Sequence, residues 1–330
     1  MEKDTRIARA VDAVERHKAA YYDSGDYRGA DFWDYAEIFE IIDDLYEVTG
    51  DKSYFAMFEE MYDYVISRYT DDWAKNPFND DIMWLVIALT RAYLYTKNRK
   101  YLDTAVSNFE NTFARAKSDD LGGGLFWRIE NESKNTCVNC PAAVAAGYLA
   151  KATGDDGYYD KMFYCLDWVL RVMFEPDTGK VYDAVNMDGK VNKWSSTYNQ
   201  GTFIGSCMMY YEKTGDEKYL HYAEKAAAYV KDEMYHGGIM DNEEHGNDLP
   251  GFKGILARYI RRFAEATGES EYLEWLRLNA DAAWENRNSR GIMRTQLGHK
   301  TENRDDYDVF AVSAAVSVVV NAVGGCAVEI

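Results

Sequence analysis

Asp80 and Asp81 stand side by side in Asn76-Pro77-Phe78-Asn79-Asp80-Asp81-Ile82-Met83-Trp84, where a polar approach gives way to an apolar run. Carboxylates are expelled from apolar surroundings unless hydrogen bonds, a metal or a catalytic duty hold them there. One chemistry that needs two acids is glycoside hydrolysis: one carboxyl protonates the departing oxygen while the other acts on the far side of the anomeric carbon. The two carboxyls lie about 5–5.5 Å apart in retaining enzymes and about 6.5–9.5 Å apart in inverting ones. Neighbouring Cα atoms are about 3.80 Å apart, so adjacency leans toward retention. Asp80 lies closer to the helix start, whose free N–H groups stabilise an anion, and is the candidate nucleophile. Asp81, beside that charge and near Trp84, ionises less readily and is the candidate proton holder. Asp43-Asp44, Asp71-Asp72 and Asp119-Asp120 are doublets too. For any of them the plain reading is a helix cap followed by an ordinary exposed acid. The apolar helix after Asp80-Asp81 and the loops that accompany it set this pair apart.

The elements that must position the pair come from a repeat. Thr-Gly-Asp-x-x-Tyr, or a degraded form of it, recurs at Thr49–Tyr54, Thr96–Tyr101, Thr153–Tyr158, Thr214–Tyr219 and Thr267–Tyr272, with successive tyrosines at intervals of 47, 57, 61 and 53 residues. Gly can take the left-handed conformation that ends one helix, and Asp or Glu can cap the next. The runs before the turns, Trp33–Tyr46, Ile82–Tyr95, Pro141–Ala152, Gly201–Tyr211 and Phe252–Phe263, are apolar on several faces. Those after them keep one apolar stripe, as in Leu102, Ala105, Phe109 and Phe113. These patterns describe inner and outer helices. With a sixth inner run at Val309–Val323 the reading is all-α, six helix pairs closed into an (α/α)6 barrel, with an open solenoid as the alternative. Short hairpins are expected at most near Gly179-Lys180-Val181-Tyr182.

If the short turns line one face, the longer connections line the other. They carry Asp80-Asp81, Gly122-Gly123-Gly124-Leu125-Phe126-Trp127, Lys134-Asn135, Tyr182-Asp183, Trp194, Tyr198-Asn199-Gln200-Gly201, Asp248 and Phe252-Lys253-Gly254. Aromatics, amides and acids gathered at one end suit a sugar, whose C–H faces stack on rings and whose hydroxyls need hydrogen-bond partners.

Composition narrows the class. The 330 residues are 47% hydrophobic with four prolines, and no linker interrupts them, so one domain over 1–330 is expected. A net charge of −19 repels a phosphate backbone, so nucleic acid is a poor partner. Val309–Val323 falls short of the roughly 20 apolar residues of a membrane span. The start, Met-Glu-Lys-Asp-Thr-Arg, has no apolar core, so the chain as given reads as cytoplasmic, or as secreted or cell-surface if a leader was removed. Five cysteines without a disulfide pattern read as reduced thiols.

Asn79-Asp80-Asp81-Ile82-Met83-Trp84, Gly122-Gly123-Gly124-Leu125-Phe126-Trp127, Lys134-Asn135-Thr136, Tyr198-Asn199-Gln200-Gly201 and Phe252-Lys253-Gly254-Ile255-Leu256-Ala257-Arg258-Tyr259 occur in this order. Together, over about Asp31 to Trp284, they resemble family 76 of the glycoside hydrolases, the endo-acting α-1,6-mannanases. The resemblance implies an (α/α)6 barrel and retaining hydrolysis of α-1,6-mannan or manno-oligosaccharides. It places the family's nucleophile at Asp80 and its acid/base at Asp81. It matches Asp183 to an acid that contacts the sugar, and Trp127, Asn199, Gln200 and Lys253 to positions serving ligand binding or loop support. No cofactor and no metal is expected.

Other readings have less behind them. Cys137-Val138-Asn139-Cys140 has half of a zinc spacing, but no second pair follows and His17, His221, His236, His245 and His299 supply no ligand spacing, so it reads as packing at the start of the helix beginning at Pro141. Gly122-Gly123-Gly124 lacks the Lys-Ser/Thr of a phosphate loop and reads as a tight turn presenting Phe126 and Trp127. An uronyl hydrolase would want basic groups and a sugar epimerase catalytic histidines. A noncatalytic glycan-binding or wall-associated barrel, or another glycosidase or transglycosidase on the same scaffold, stays open at this point.

Overall fold

In the computed structural model of the protein the described residues are 1–241, 243, 246 and 248–328; His245 lies outside them. They fall into two compact units, Tyr69–Val230 and Met1–Arg68 with Lys231–Ile330.

In the first unit the helices are α4 (Asn79–Thr96), α5 (Arg99–Ala116), α6 (Thr136–Thr153), α7 (Gly157–Val172), α8 (Thr197–Thr214) and α9 (Glu217–Ala228). α6 packs between α4 and α8, and α5, α7 and α9 back onto α4, α6 and α8 respectively. Every residue of α6 from Thr136 to Ala150 is buried, whereas α5 buries one stripe that includes Leu102, Ala105, Phe109 and Phe113. This is the inner and outer division expected from the patterns. In the second unit α1 (Lys3–Tyr21), α2 (Phe32–Thr49), α3 (Phe55–Tyr69), α10 (Phe252–Thr267), α11 (Ser270–Glu285) and α12 (Val309–Asn321) follow the same plan, with α12 packed between α2 and α10. α3 ends one residue beyond the boundary between the units.

The turns show why the repeat carries threonine. In each copy the Thr hydroxyl donates to the carbonyl four residues back: Thr49 to Leu45 at 2.7 Å, Thr96 to Ala92 at 2.7 Å, Thr153 to Leu149 at 2.7 Å, Thr214 to Tyr210 at 2.8 Å and Thr267 to Phe263 at 2.8 Å. The same oxygen accepts the backbone N–H two residues on, from Asp51, Asn98, Asp155, Asp216 and Glu269. Gly50, Gly154, Gly215 and Gly268 are left-handed, as a helix terminus of this type requires. Lys97 takes that conformation in the copy that lacks glycine, with φ at 59°. The acid then caps the helical turn after it: Asp51 accepts from Ser53 N–H and Asp216 from Lys218 N–H.

Two details differ from the sequence reading. α6 begins at Thr136, so Pro141 lies inside the helix and not at its start. The expected hairpin, Phe174–Glu175 with Lys180–Val181, is present, but two more small sheets also form, Tyr22–Asp23 with Asp26–Tyr27, and Ser133–Asn135 with Ala184–Asn186 and Val191–Asn192. Strands of two or three residues are too short to show an alternating pattern in sequence. Among the described residues no helix is long and apolar enough to cross a membrane.

Candidate active site

Asn79 opens α4, and its side chain is clamped from two directions. Its Nδ2 donates to the Phe126 carbonyl at 2.8 Å, while its Oδ1 accepts from Arg115 Nε at 2.6 Å. The rest of the Arg115 guanidinium donates to the carbonyls of Ala74 and Asn76 at 2.7 and 2.8 Å. The approach to the helix is therefore pinned by one arginine, and the two acids after Asn79 stand in the first turn, where unsatisfied N–H groups favour negative charge.

The glycine turn supplies the partner of the first acid. Gly122, Gly123 and Gly124 all have positive φ, and a Cβ on Gly124 would come within 2.6 Å of the Trp168 ring. Lys134 is fully buried beneath this turn. Its Nζ donates to the carbonyls of Ser118, Asp120, Gly123 and Gly124 at 2.9, 2.7, 2.6 and 3.2 Å. Burial holds this ammonium down to about 8, against the pull of Asp120 and Asp119. The turn then delivers Trp127, whose backbone N–H donates to the Ser133 carbonyl at 3.0 Å and whose carbonyl accepts from Asn79 N–H at 2.8 Å. Its Nε1–H donates to Asp80 Oδ2 at 2.9 Å. Phe126, expected to be presented alongside it, is buried.

The two carboxyls are held differently. Asp80 is 8% exposed, and burial pushes it up to about 7. The Cys137 thiol, the Trp127 N–H and the backbone N–H groups of Asp80 and Asp81 pull the other way. All of these are neutral donors, and none carries a positive charge. With Oδ2 fixed by Trp127, Oδ1 is buried and meets no donor at hydrogen-bond geometry. Asp81 is half-buried; its Oδ2 accepts from Asn76 Nδ2 at 3.0 Å. That amide is oriented in turn by Phe78 N–H, which donates to Asn76 Oδ1 at 2.9 Å.

A second acid lies near. Burial raises both the Cys137 thiol and the Tyr198 phenol, and the charges of Asp80 and Asp183 raise each of them further. Asp183 precedes the strand Ala184–Asn186, and its carboxyl accepts from Asn192 Nδ2 at 3.0 Å and Asn199 Nδ2 at 3.3 Å. Burial raises it above the usual carboxylate range, while the two amides lower it. Gln200, one residue beyond Asn199 at the start of α8, donates to Ser195 Oγ at 3.2 Å. Asn199 Oδ1, Gln200 Oε1 and Ser196 Oγ are buried without hydrogen-bond partners.

Asp80, Trp127, Asp183 and Asn199 are thus brought into one linked set, with Asp81 and Gln200 on the helix starts that carry it. Lys253, at the start of α10, belongs to the other unit, where its buried Nζ donates to Thr295 Oγ1 at 3.1 Å. Cys137 acts on Asp80 directly, and Tyr198 stands behind it through a hydrogen bond with Cys137, roles their sequence context does not announce. In sequence Cys137 reads as packing, and the one signal for Tyr198 is its place beside Asn199. Trp84, expected near Asp81, is buried and stacks on Tyr198 with ring centroids 6.1 Å apart.

The profile of Glycosyl hydrolase family 76 matches residues 7–324. The α-1,6-mannanase of Salegentibacter sp. superposes with a TM-score of 0.89 at 29% identity, over 96% of this chain and 98% of its own. An inactive variant of that mannanase with two consecutive aspartates changed to asparagine, in complex with α-1,6-mannotriose, superposes with a TM-score of 0.89 at 28% identity, over 96% of this chain and 99% of its own. The fold is the (α/α)6 barrel class expected from the repeat. In sequence the chain is 28% identical over 228 residues to mannan endo-1,6-α-mannosidase DCW1 of Saccharomyces cerevisiae, 62% of this chain and 51% of that protein. The chain spans about half the length of the curated relatives it matches.

Proposed function

This chain belongs to glycosyl hydrolase family 76, and on that premise we propose that it is an endo-acting, retaining hydrolase of α-1,6-linked mannan or manno-oligosaccharides. The supporting observation is the asymmetric grip on Asp80, whose Oδ2 is held by Trp127 while Oδ1 is buried and unpartnered. A carboxylate fixed through one oxygen can attack with the other.

In the first step Asp80 Oδ1 bonds to the anomeric carbon as the bond from that carbon to O6 of the next sugar breaks, and Asp81 gives its proton to the departing O6. In the second, Asp81 takes a proton from a water that attacks the same carbon and releases Asp80. Two inversions leave the α configuration. The donors around Asp80 favour its anion and hold it in place, and the Asn76 amide orients Asp81. Asp183, ahead of the strand Ala184–Asn186, and Asn199 and Gln200, at the start of α8, bind sugar hydroxyls through their oxygens and amides.

The deciding experiment is turnover of linear α-1,6-mannan with NMR of the first product. Asp80→Asn should lower kcat by roughly 10⁴-fold or more and Asp81→Asn by roughly 10²- to 10⁴-fold, with both chains folded. Initial release of the β-anomer overturns retention. Mannan binding without turnover in the unaltered chain favours a noncatalytic binding protein instead.

A further inference from the structure

Trp194 is 42% exposed, and among the described residues it is the tryptophan left open to solvent in this way. Single exposed apolar side chains are ordinary on protein surfaces, so exposure alone carries nothing. Its tether is what distinguishes it. The Trp194 backbone N–H donates to Asn192 Oδ1 at 3.1 Å, and Nδ2 of the same asparagine donates to Asp183 Oδ2 at 3.0 Å. One side chain therefore fixes both Asp183 and the backbone that carries the exposed indole.

The next few residues add a second, independent observation. Ser196, Asn199 and Gln200 are all 0% exposed, yet Ser196 Oγ, Asn199 Oδ1 and Gln200 Oε1 lack hydrogen-bond partners. Buried polar atoms are nearly always paired, so three orphans within five residues mark a place built to meet hydroxyl groups. An open aromatic face beside a polar row is the arrangement that holds a pyranose, its C–H face on the ring and its hydroxyls on the fixed oxygens.

We infer that Trp194 is the platform of an outer mannosyl subsite, beyond the sugar bound at Asp183, and that it makes binding depend on the length of the mannan chain. The inference rests on the proposed substrate class and adds which residue reads chain length. A two-unit ligand fills the positions around Asp80 and Asp183, and a four-unit ligand also reaches the indole.

Calorimetric titration of the Asp80→Asn chain with α-1,6-mannobiose and α-1,6-mannotetraose tests it, with Trp194 intact, changed to Ala and changed to Tyr. Trp194→Ala should weaken mannotetraose binding roughly tenfold more than mannobiose binding, and Trp194→Tyr should restore most of the difference. An equal loss for both lengths, no loss for either, or no binding with Trp194 intact overturns the subsite. Turnover by the unaltered chain is a separate reading. A chain that grips mannotetraose through Trp194 but cleaves no mannan sinks the hydrolase and leaves the subsite, and a chain that cleaves with no length-dependent loss does the reverse.

Discussion

Asp43-Asp44 and Asp80-Asp81 are the same dipeptide set into inner helices, α2 and α4, and their surroundings are opposite in kind. Asp43 and Asp44 are both 0% exposed, although in sequence such doublets read as ordinary exposed acids. Asp44 Oδ2 accepts from Arg258 Nε at 2.8 Å and from Asn321 Nδ2 at 3.0 Å. Arg258 also pairs with Glu37 and Glu40, each at 3.1 Å. Arg261 donates to Glu47 and lies 3.6 Å from Asp44, and Arg262 donates to Glu47 at 2.6 Å. Acids on α2 are thus answered by cations on α10. Asp80 is answered by an indole, a thiol and backbone N–H groups, which orient a carboxylate without neutralising it. A charge cancelled by an arginine is spent on structure, and one held only by neutral dipoles keeps its reactivity.

That contrast can be broken first at its structural end. Arg258→Met leaves Glu37, Glu40 and Asp44 without their shared cation, and breaking one partner of a buried network costs about 3–5 kcal/mol. Urea titration should show a loss of that size in unfolding free energy. A loss below about 1 kcal/mol would mean that the cluster is no structural counterpart to the reactive pair.

At the reactive end the sign reverses. The folded-state carboxyl of Asp80 lies above its ordinary value, up to about 7, so the folded chain binds this proton more tightly than the unfolded one. Its ionisation therefore erodes stability as pH climbs from about 4 to about 7. Asp80→Asn should raise stability at pH 7 and above by on the order of 1 kcal/mol, with the gain vanishing near pH 4, as thermal unfolding across that range would record. Unchanged stability across the range would contradict the electrostatic account of the site.

The smallest effect sharpens the role of the neutral donors. A nucleophile works only when ionised, so kcat/KM should fall as pH drops through about 7. Trp127→Phe removes one hydrogen bond that favours the anion, which should lower kcat/KM at neutral pH by about tenfold and carry the acid limb to higher pH. A lowered rate with an unmoved limb would assign Trp127 to packing alone.

Much of the fold and part of the site are legible in the sequence. The Thr-Gly-Asp turns, the inner runs and the position of Asp80 at the head of a buried helix come from local patterns whose partners lie within a few residues. The parts that are not legible depend on residues far apart in the chain. Arg258 meets Asp44 across 214 residues, so no window of sequence reveals that Asp43-Asp44 is buried. Cys137 reaches Asp80, and Tyr198 reaches Cys137, only because α6 packs between α4 and α8. The carbonyl cradle of Lys134 requires the glycine turn to be folded over it, and in sequence Lys134 is marked only as part of Lys134-Asn135-Thr136, with nothing to tell that its ammonium is buried. Thr49 and its four counterparts mark the repeat without disclosing their task, since a hydroxyl that bonds both backward and forward looks like any surface threonine.

Those threonines have an engineering consequence. Each one closes the end of an inner helix and steadies the approach to the next helix with a single oxygen, so the connection is self-contained. Thr153, Gly154 and Asp155 are exposed, and α6 on one side and α7 on the other are fixed to each other along their length. A foreign module spliced between Gly154 and Asp155 would meet solvent, while Asn79, the glycine turn and Trp127 would keep every bond that aims them at Asp80. The barrel thus offers attachment points, at the ends of its helix pairs, that are chemically separate from its site.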